Sequence, residues 1–112
     1  MNFEIIVTPE FEKSAKKLKK RYRSLPEDLK LFMNSLIENP YQGDELTPGI
    51  RKIRMAIKSK GHGKSGGARI ITYTLTIDEQ TGRIYLIDIY DKSDFSTVDT
   101  AIIKKIVDGM NS

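Results

Sequence analysis

The sequence contains no cysteine, no tryptophan and a single histidine, and none of its apolar runs is long. Without cysteine there is no disulfide framework and no thiolate metal site. Because His62 is the only histidine, the sequence does not favour a histidine-based metal site or a Ser-His-Asp nucleophile. A membrane-spanning helix needs about 20 consecutive apolar residues. We therefore expect no membrane partner, no metal and no cofactor.

The amino terminus, MNFEIIVTPEFEK, lacks the basic segment and the long apolar core of a secretion signal. We therefore expect a cytoplasmic protein. The 112 residues fit a single domain, residues 1–112, with no internal repeat or low-complexity segment. Because 38% of the residues are hydrophobic, we expect a real but small core.

Acidic residues are also missing from the stretch between Gly49 and Arg69, GIRKIRMAIKSKGHGKSGGAR, although the whole chain has 15 of them. This stretch carries seven lysines and arginines, so its positive charge exceeds the formal net charge of +4 of the whole chain. Uncompensated cations repel one another, so such a stretch is kept most easily where a polyanion binds. Four glycines after Lys58 predict a flexible basic loop. The alternative is a loop that serves only solubility.

Hydrophobic periodicity predicts an α+β fold in the order β-α-α-β-β-β-α. Strands are expected over residues 3–7, 50–58, 68–77 and 83–92. Helices are expected to begin after the N-cap Thr8, after a capping box at Ser24 to Glu27, and after a second such box at Ser96 to Asp99. The polar residues from Tyr41 to Gly49 are expected to form a connection.

Consecutive hairpins predict an antiparallel sheet with the helical hairpin packed on one apolar face. Alternation along the last strand predicts one face that holds Ile84, Leu86, Asp88, Tyr90 and Lys92. The sheet face away from the helical hairpin is expected to present a basic, partly aromatic surface made of Lys52, Arg54, Arg69, Tyr90 and Lys92.

The C-terminal helix is expected to rest on the protein through Val98, Ala101, Ile102 and Ile106. On this prediction Ile103 and Val107 lie off the main apolar face and are available to dock a partner protein.

Fixed charge and proton transfer are sufficient to cleave RNA without a metal. The 2′-hydroxyl attacks the adjacent phosphate, and the protein must accept that proton, stabilise the phosphorane and protonate the leaving 5′-oxygen. Arginine binds phosphate oxygens as a fork, lysine acts as a point charge, and a lysine or tyrosine among cations can have a lowered pKa. The chain supplies these residue types in Lys52, Arg54, Lys58, Lys64, Arg69, Tyr90 and Lys92.

Two runs, GIRKIRMAIKSKGHGKSGGARIITY and YLIDIYDKSD, resemble those of the RelE/ParE superfamily of toxins, and most closely its HigB-like branch. In that branch a strand ending in K-I-R leads to a glycine-rich basic loop that ends in G-G-[AS]-R, and a later strand ends in I-Y-x-K. The element order is similar as well, so the resemblance covers nearly the whole chain. It implies the toxin of a type II toxin-antitoxin system, an endoribonuclease that cleaves mRNA on the ribosome and inhibits translation. It also implies a cognate antitoxin, expected to be a helix-turn-helix protein.

By this resemblance Arg69 contacts the scissile phosphate, Lys92 stabilises charge or acts as an acid, and Tyr90 is the tyrosine of the catalytic set. Lys52 and Arg54 match the basic pair before the loop. The loop residues Lys58, Lys60 and Lys64 are expected to hold RNA backbone. The sequence departs from the family pattern at His62, where a basic residue is common, and at Thr72, where a second aromatic often stands.

Two other functions remain open at this point. A ParE-like toxin poisons gyrase through protein contact, and a basic RNA-binding module binds without cleavage. Individual residues also have structural alternatives. Tyr90 could pack under the last helix, and Arg69 could pair with Asp88 across the sheet. Tyr73 is expected in the core.

Overall fold

The computed structural model describes residues 2–94 and 100–111. Its strands are Asn2–Val7 (β1), Asp44–Thr47 (β2), Ile50–Met55 (β3), Ala68–Asp78 (β4) and Thr81–Asp91 (β5). Its helices are Pro9–Arg21 (α1), Leu25–Glu38 (α2), the single turn Gly63–Gly66 (α3) and Thr100–Asn111 (α4). Among the helices of these described ranges, none has both the length and the apolar character needed to cross a membrane.

The strands form one sheet in the order β1-β5-β4-β3-β2, which confirms the predicted α+β class. The predicted antiparallel sheet is wrong in one respect, because β1 runs parallel to β5 while the other pairs are antiparallel. Periodicity locates a strand without identifying its neighbour, so the parallel edge was not visible in the sequence. The predicted connection from Tyr41 to Gly49 contains the short strand β2, whose polar sequence DELT fits a sheet edge.

Helices α1 and α2 cover one face of the sheet. Thr8 caps α1 as predicted, since its hydroxyl accepts a bond from the Phe11 amide at 3.2 Å and donates to the Leu86 carbonyl at 2.7 Å. Phe11 and Leu18 of α1 and Leu25, Phe32 and Leu36 of α2 pack on the sheet as its main core. The side chains of β3, β4 and β5 complete this core with Ile53, Met55, Ala68, Ile70, Ile84, Leu86 and Ile89.

Helix α4 packs on the opposite face and forms a second, smaller core. Ile103 and Val107 are buried there against Ile71, Ile87 and Tyr90. The prediction that Ile103 and Val107 lie off the apolar face is therefore wrong, because these two residues form the buried side of the helix. Ile106 is only partly buried and Ala101 is exposed. The capping box predicted at Ser96 to Asp99, and Val98 within it, lie outside the described residues.

A bulge in β5 changes which side chains face which layer. The register steps from Ile71 opposite Asp88 to Thr72 opposite Leu86, so Ile87 is an extra residue on β5. Leu86 therefore lies in the core under α1 and α2, whereas Tyr90 lies in the core under α4. The prediction that Ile84, Leu86, Asp88, Tyr90 and Lys92 share a face is wrong, because an inserted residue reverses the alternation beyond it.

Candidate functional site

A row of polar side chains crosses the central strands on the face that carries α4. Arg54 of β3 stands opposite Arg69 of β4, and Arg69 stands opposite Tyr90 of β5. Lys52 is two residues before Arg54 and shares its face. The sheet thus brings Arg69 and Tyr90 beside Lys52 and Arg54, four residues that were predicted to share a surface. Arg54 is exposed, Lys52 is half-buried, and Arg69 and Tyr90 are buried.

Arg69 is held by backbone carbonyls instead of pairing with Asp88. Its guanidinium donates to the carbonyl oxygens of Lys64 at 3.1 Å, Ala68 at 3.2 Å and Ser65 at 3.0 Å. The last carbonyls of a helical turn have no partner within the turn, and a cationic side chain satisfies them well. Arg69 therefore fixes the α3 turn to the sheet. A guanidinium has five N–H donors, more than these three bonds use.

Tyr90 lies beneath α4 and is only 8% exposed. Its ring packs in the same cluster as Ile103 and Val107, as the structural alternative for this residue described. Burial raises the pKa of the Tyr90 hydroxyl above its usual value, the positive charge of Arg69 opposes this, and Asp88 adds to it. The suggestion that cations lower a tyrosine pKa far enough to make a base does not hold for Tyr90.

Lys92 lies in the turn after β5, at one wall of a cleft of about 350 Å³. The other wall comes from the basic loop, and the lining residues of this loop cleft are Lys60, His62, Ser65, Gly66, Lys92 and Ser93. The Lys92 amide donates to the Gly67 carbonyl at 3.0 Å, which joins the end of β5 to the start of β4. The structure therefore brings Lys60 and Lys92, 32 positions apart in the sequence, to one cleft together with the lone histidine.

A buried carboxylate, Asp91, connects the loop cleft to helix α1. It accepts bonds from Lys60 Nζ at 2.6 Å, from Arg21 at 3.0 Å, from the hydroxyl of Tyr22 and from the amide of Ser93 at 2.9 Å. We refer to these five residues as the Asp91 cluster. Burial alone would raise the pKa of Asp91, but the bonds from Lys60, Tyr22, Ser93 and Arg21 outweigh it and hold that pKa well below its usual range.

The sequence reasoning overlooked Asp91. A usable signal was present, because an acid at the end of a strongly apolar strand cannot be buried without cationic partners. The same reasoning treated Lys60 as a free loop cation. The structure instead shows a side chain that is only 13% exposed and donates to Asp91 and to the Ser93 hydroxyl.

The first part of the basic loop is anchored to α2, in contrast with the predicted flexible loop. Asp28 accepts bonds from the Lys58 amide at 3.2 Å and from the Ser24 hydroxyl at 2.7 Å. The Ser24 hydroxyl also contacts Ser59, and it makes no bond to the helix backbone at the α2 N-terminus. The predicted capping box is thus replaced by side-chain bonds that tie helix and loop together. The side chains of Lys58 and Lys64 are exposed, as expected of residues that bind RNA backbone.

The structure explains why the GGAR motif has a glycine at position 67. A Cβ built there would lie 2.2 Å from the Met55 carbonyl oxygen and 2.9 Å from the Ile57 amide nitrogen. Only glycine allows the two backbones this close approach. The motif therefore keeps β4 close to the end of β3, and this holds Arg69 beside Arg54.

The arrangement as a whole is suited to binding a phosphodiester. The sheet and the loop carry exposed or half-buried cations at Lys52, Arg54, Lys58 and Lys64, and a buried arginine and a buried tyrosine stand in the same row as Arg54. In the described part of the chain, no set of three or more metal-ligating side chains is gathered in one place. A scan of protein-family models gives no match to this chain, so the functional argument depends on the residues themselves.

Proposed function

We propose that this protein is the toxin of a type II toxin-antitoxin system and that it cleaves mRNA on the ribosome without a metal, through attack of the RNA 2′-hydroxyl. The observation that carries the proposal is the row of Arg54, Arg69 and Tyr90 across three strands, with Lys92 in the turn that follows the third. The resemblance of the loop and of the last strand to RelE/ParE toxins also supports it.

In this proposal the cations act mainly on charge. Arg54 and Lys52 bind the oxygens of the scissile phosphate, and the remaining donors of Arg69 stabilise the phosphorane. Lys92 supports the charge of the leaving group as a point charge. Tyr90, whose pKa is raised by burial, keeps its proton at neutral pH and is assigned as the donor to the leaving 5′-oxygen, while the proton of the attacking 2′-hydroxyl passes to solvent water.

Two partners follow from this function. The ribosome presents the mRNA, and the exposed Lys58 and Lys64 hold RNA backbone at the edge of the site. A cognate antitoxin, expected to be a helix-turn-helix protein, keeps the toxin inactive until it is needed.

A second candidate is a basic RNA-binding module without catalysis. The observation in its favour is that Arg69 is 5% exposed and already bonded to three carbonyls, which is an arrangement that also suits a purely structural arginine. Such a module would bind the ribosome or mRNA through the same exposed lysines and leave the RNA intact.

The test uses purified protein, translating ribosomes and a defined mRNA, with cleavage mapped by primer extension. We expect new 5′ ends with the parent protein. We expect at least about a hundredfold slower cleavage with Tyr90→Phe, which keeps the ring under α4 and removes only the hydroxyl group. Tyr73→Phe is the matched control, because Tyr73 stands on the same sheet face and its ring stacks on Tyr85.

Three outcomes separate the functions. Cleavage that depends on Tyr90 and Lys92 but not on Tyr73 supports the toxin proposal. Ribosome binding without any cleavage favours the binding module. Inhibition of DNA supercoiling by gyrase, with no effect on mRNA, would instead favour a ParE-like toxin.

A further inference from the structure

A polar pocket lies beside the turn between β2 and β3, with a volume of about 360 Å³. Its lining includes Tyr41, Glu45, Gly49, Arg51 and Thr76. Because side chains alternate along a strand, Arg51 lies on the sheet face opposite to that of Lys52 and Arg54. We call this feature the turn pocket. It is therefore separate from the row of polar side chains that carries the proposed function.

Arg51 is held in a fixed position at the wall of the turn pocket. Its Nη1 donates to the Tyr41 carbonyl at 2.8 Å and to the Gly43 carbonyl at 3.5 Å. Its guanidinium carbon lies 5.6 Å from the centre of the Tyr41 ring. The other terminal nitrogen, Nη2, lies 3.6 Å from Glu45 Oε2, which is longer than a normal hydrogen bond. Arg51 is thus oriented by carbonyls, and its contact with Glu45 is loose enough for a ligand to engage both groups.

Glu45 and Tyr41 present a carboxylate and an aromatic ring to solvent. The Glu45 side chain is 51% exposed and Tyr41 is 42% exposed. The Tyr41 ring rests edge-on against Phe3, with 6.0 Å between the ring centres, and its hydroxyl lies 3.3 Å from the Thr76 hydroxyl. Among the described residues that line the pocket, Arg51 is the one cation and Glu45 is the one acid. A ligand therefore meets a guanidinium and a carboxylate side by side, next to a braced aromatic ring.

A guanine base matches this set of groups. Its O6 and N7 accept hydrogen bonds from a guanidinium, and its N1–H and N2–H₂ donate to a carboxylate. The O6 and N1 positions are neighbours on the ring, so a guanidinium and a carboxylate that stand side by side suit them. Guanine alone among the four RNA bases offers one acceptor next to two adjacent donors. Adenine instead turns an acceptor, its N1, towards the carboxylate, and the two acceptors repel each other.

We propose that the turn pocket binds a guanine base, with Glu45 on N1–H and N2–H₂, Arg51 on O6 and the Tyr41 ring stacked on the base. Stacking on an aromatic ring strengthens the binding of every base, so Tyr41 supplies affinity. The pair of Glu45 and Arg51 supplies the preference for guanine. Since Arg51 is the one cation of the described lining, the pocket recognises the base and not the phosphate. The guanine belongs either to a free nucleotide or to an unpaired position of RNA.

The first measurement compares three nucleoside monophosphates, GMP, IMP and AMP, by calorimetric titration of the purified protein. IMP has the guanine ring without its 2-amino group, so it loses one hydrogen bond to the Glu45 carboxylate. We expect IMP to bind about tenfold more weakly than GMP. AMP offers neither O6 nor N1–H, and we expect it to bind at least about a hundredfold more weakly than GMP. The phosphate is the same in all three, so the differences report on the base alone.

The matched variants are Glu45→Gln and Asp44→Asn. The two residues are adjacent on β2, both are exposed, and each change removes one negative charge, but only Glu45 lines the turn pocket. We expect Glu45→Gln to weaken GMP binding about tenfold and Asp44→Asn to leave it unchanged. A second pair tests stacking, because Tyr41→Phe keeps an aromatic ring and Tyr41→Leu does not. We expect GMP to bind Tyr41→Phe as it binds the parent, and to bind Tyr41→Leu about tenfold more weakly.

Two single-stranded RNA oligonucleotides, which differ by one guanine in place of an adenine, identify the source of the base. If RNA supplies it, the guanine strengthens binding to the parent protein but not to Glu45→Gln. If a free nucleotide supplies it, the two oligonucleotides bind equally and only GMP shows the preference. The proposal is overturned if GMP does not bind at about 1 mM, if AMP binds as tightly as GMP, or if Glu45→Gln has no more effect than Asp44→Asn. These titrations use neither ribosomes nor mRNA, so a failure of mRNA cleavage leaves their result unaffected.

Discussion

Replacing Asp91 by asparagine tests whether the buried carboxylate holds the candidate site together. Asparagine keeps the shape of the side chain and removes its charge, so Lys60 and Arg21 lose their shared partner. Tyr22 loses the carboxylate to which its hydroxyl donates. We expect Asp91→Asn to fold, to be markedly less stable and to leave Lys60 without a fixed position in the loop cleft.

The magnitude follows from the burial of each partner. Asp91 is 1% exposed and the Lys60 side chain is 13% exposed, so this pair is poorly screened. Breaking a buried pair by removing one partner costs about 3–5 kcal/mol. The Arg21 side chain is half exposed, so its interaction is screened by solvent and we add nothing for it. We therefore expect a loss of about 3 kcal/mol, which corresponds to a decrease of about 10 °C in Tm.

The assay is urea unfolding followed by circular dichroism, for the parent and Asp91→Asn in parallel from pH 7 to pH 2.5. Because the folded-state pKa of Asp91 is lowered, its contribution to stability is present above the unfolded-state pKa of about 4. The contribution is lost as the pH falls through the folded-state pKa. The difference between the two proteins should be constant from pH 7 to pH 5 and should shrink below about pH 4.

Asp94→Asn is the matched control. Asp94 also pairs with Arg21, at 3.0 Å, but its side chain is 42% exposed. An exposed pair contributes at most about 1 kcal/mol. If Asp91→Asn is no less stable than Asp94→Asn at pH 7, or if its deficit is unchanged at pH 2.5, the carboxylate does not organise the site.

Four further substitutions test other structural roles. Arg69→Lys should unfold at a lower denaturant concentration than the parent, because the single ammonium nitrogen of lysine cannot replace both guanidinium nitrogens that bond the carbonyls of Lys64, Ser65 and Ala68. Unchanged stability would show that these bonds do not hold the α3 turn. Thr72→Val should raise the free energy of unfolding by about 1 kcal/mol, since within the described residues its buried hydroxyl has no hydrogen-bond partner. Thr8→Val should lower the free energy of unfolding by about 1 kcal/mol, because it removes the cap of α1. Gly67→Ala should cost roughly 2 kcal/mol because its Cβ meets the Met55 carbonyl, and thermal unfolding measures all of these changes.

Local patterns predicted most of the fold because they depend on neighbouring residues. The hydroxyl of Thr8 before Pro9 placed the start of α1 correctly, and alternation along β4 placed Arg69, Ile71 and Tyr73 on one face, as the structure has them. The predicted strands at residues 3–7 and 68–77 each differ by one residue from β1 and β4, and the strand predicted at 83–92 begins two residues later and ends one residue later than β5. What failed depends on partners far along the chain. Strand β1 lies parallel to β5, and no residue of either strand encodes that choice on its own.

The candidate site divides in the same way. The basic face was predictable because Lys52 and Arg54 lie two positions apart on a strand, and the register then adds Arg69 and Tyr90. The Asp91 cluster was not predictable in detail, because Arg21 and Lys60 approach Asp91 from segments 70 and 31 positions away. Whether Arg69, Tyr90 and Lys92 catalyse remains a prediction that the cleavage assay tests.

The bulge at Ile87 connects the failed predictions about the last strand and the last helix. Without the extra residue, Tyr90 would share the face of Leu86 and would enter the core under α1 and α2. With the extra residue, Tyr90 lies on the same face as Arg69. Ile87 and Tyr90 then form an apolar surface on which α4 packs. This apolar surface buries Ile103 and Val107, which were predicted to dock a partner protein. A partner protein that inhibits this molecule must therefore either displace α4 or use a surface other than the buried side of that helix.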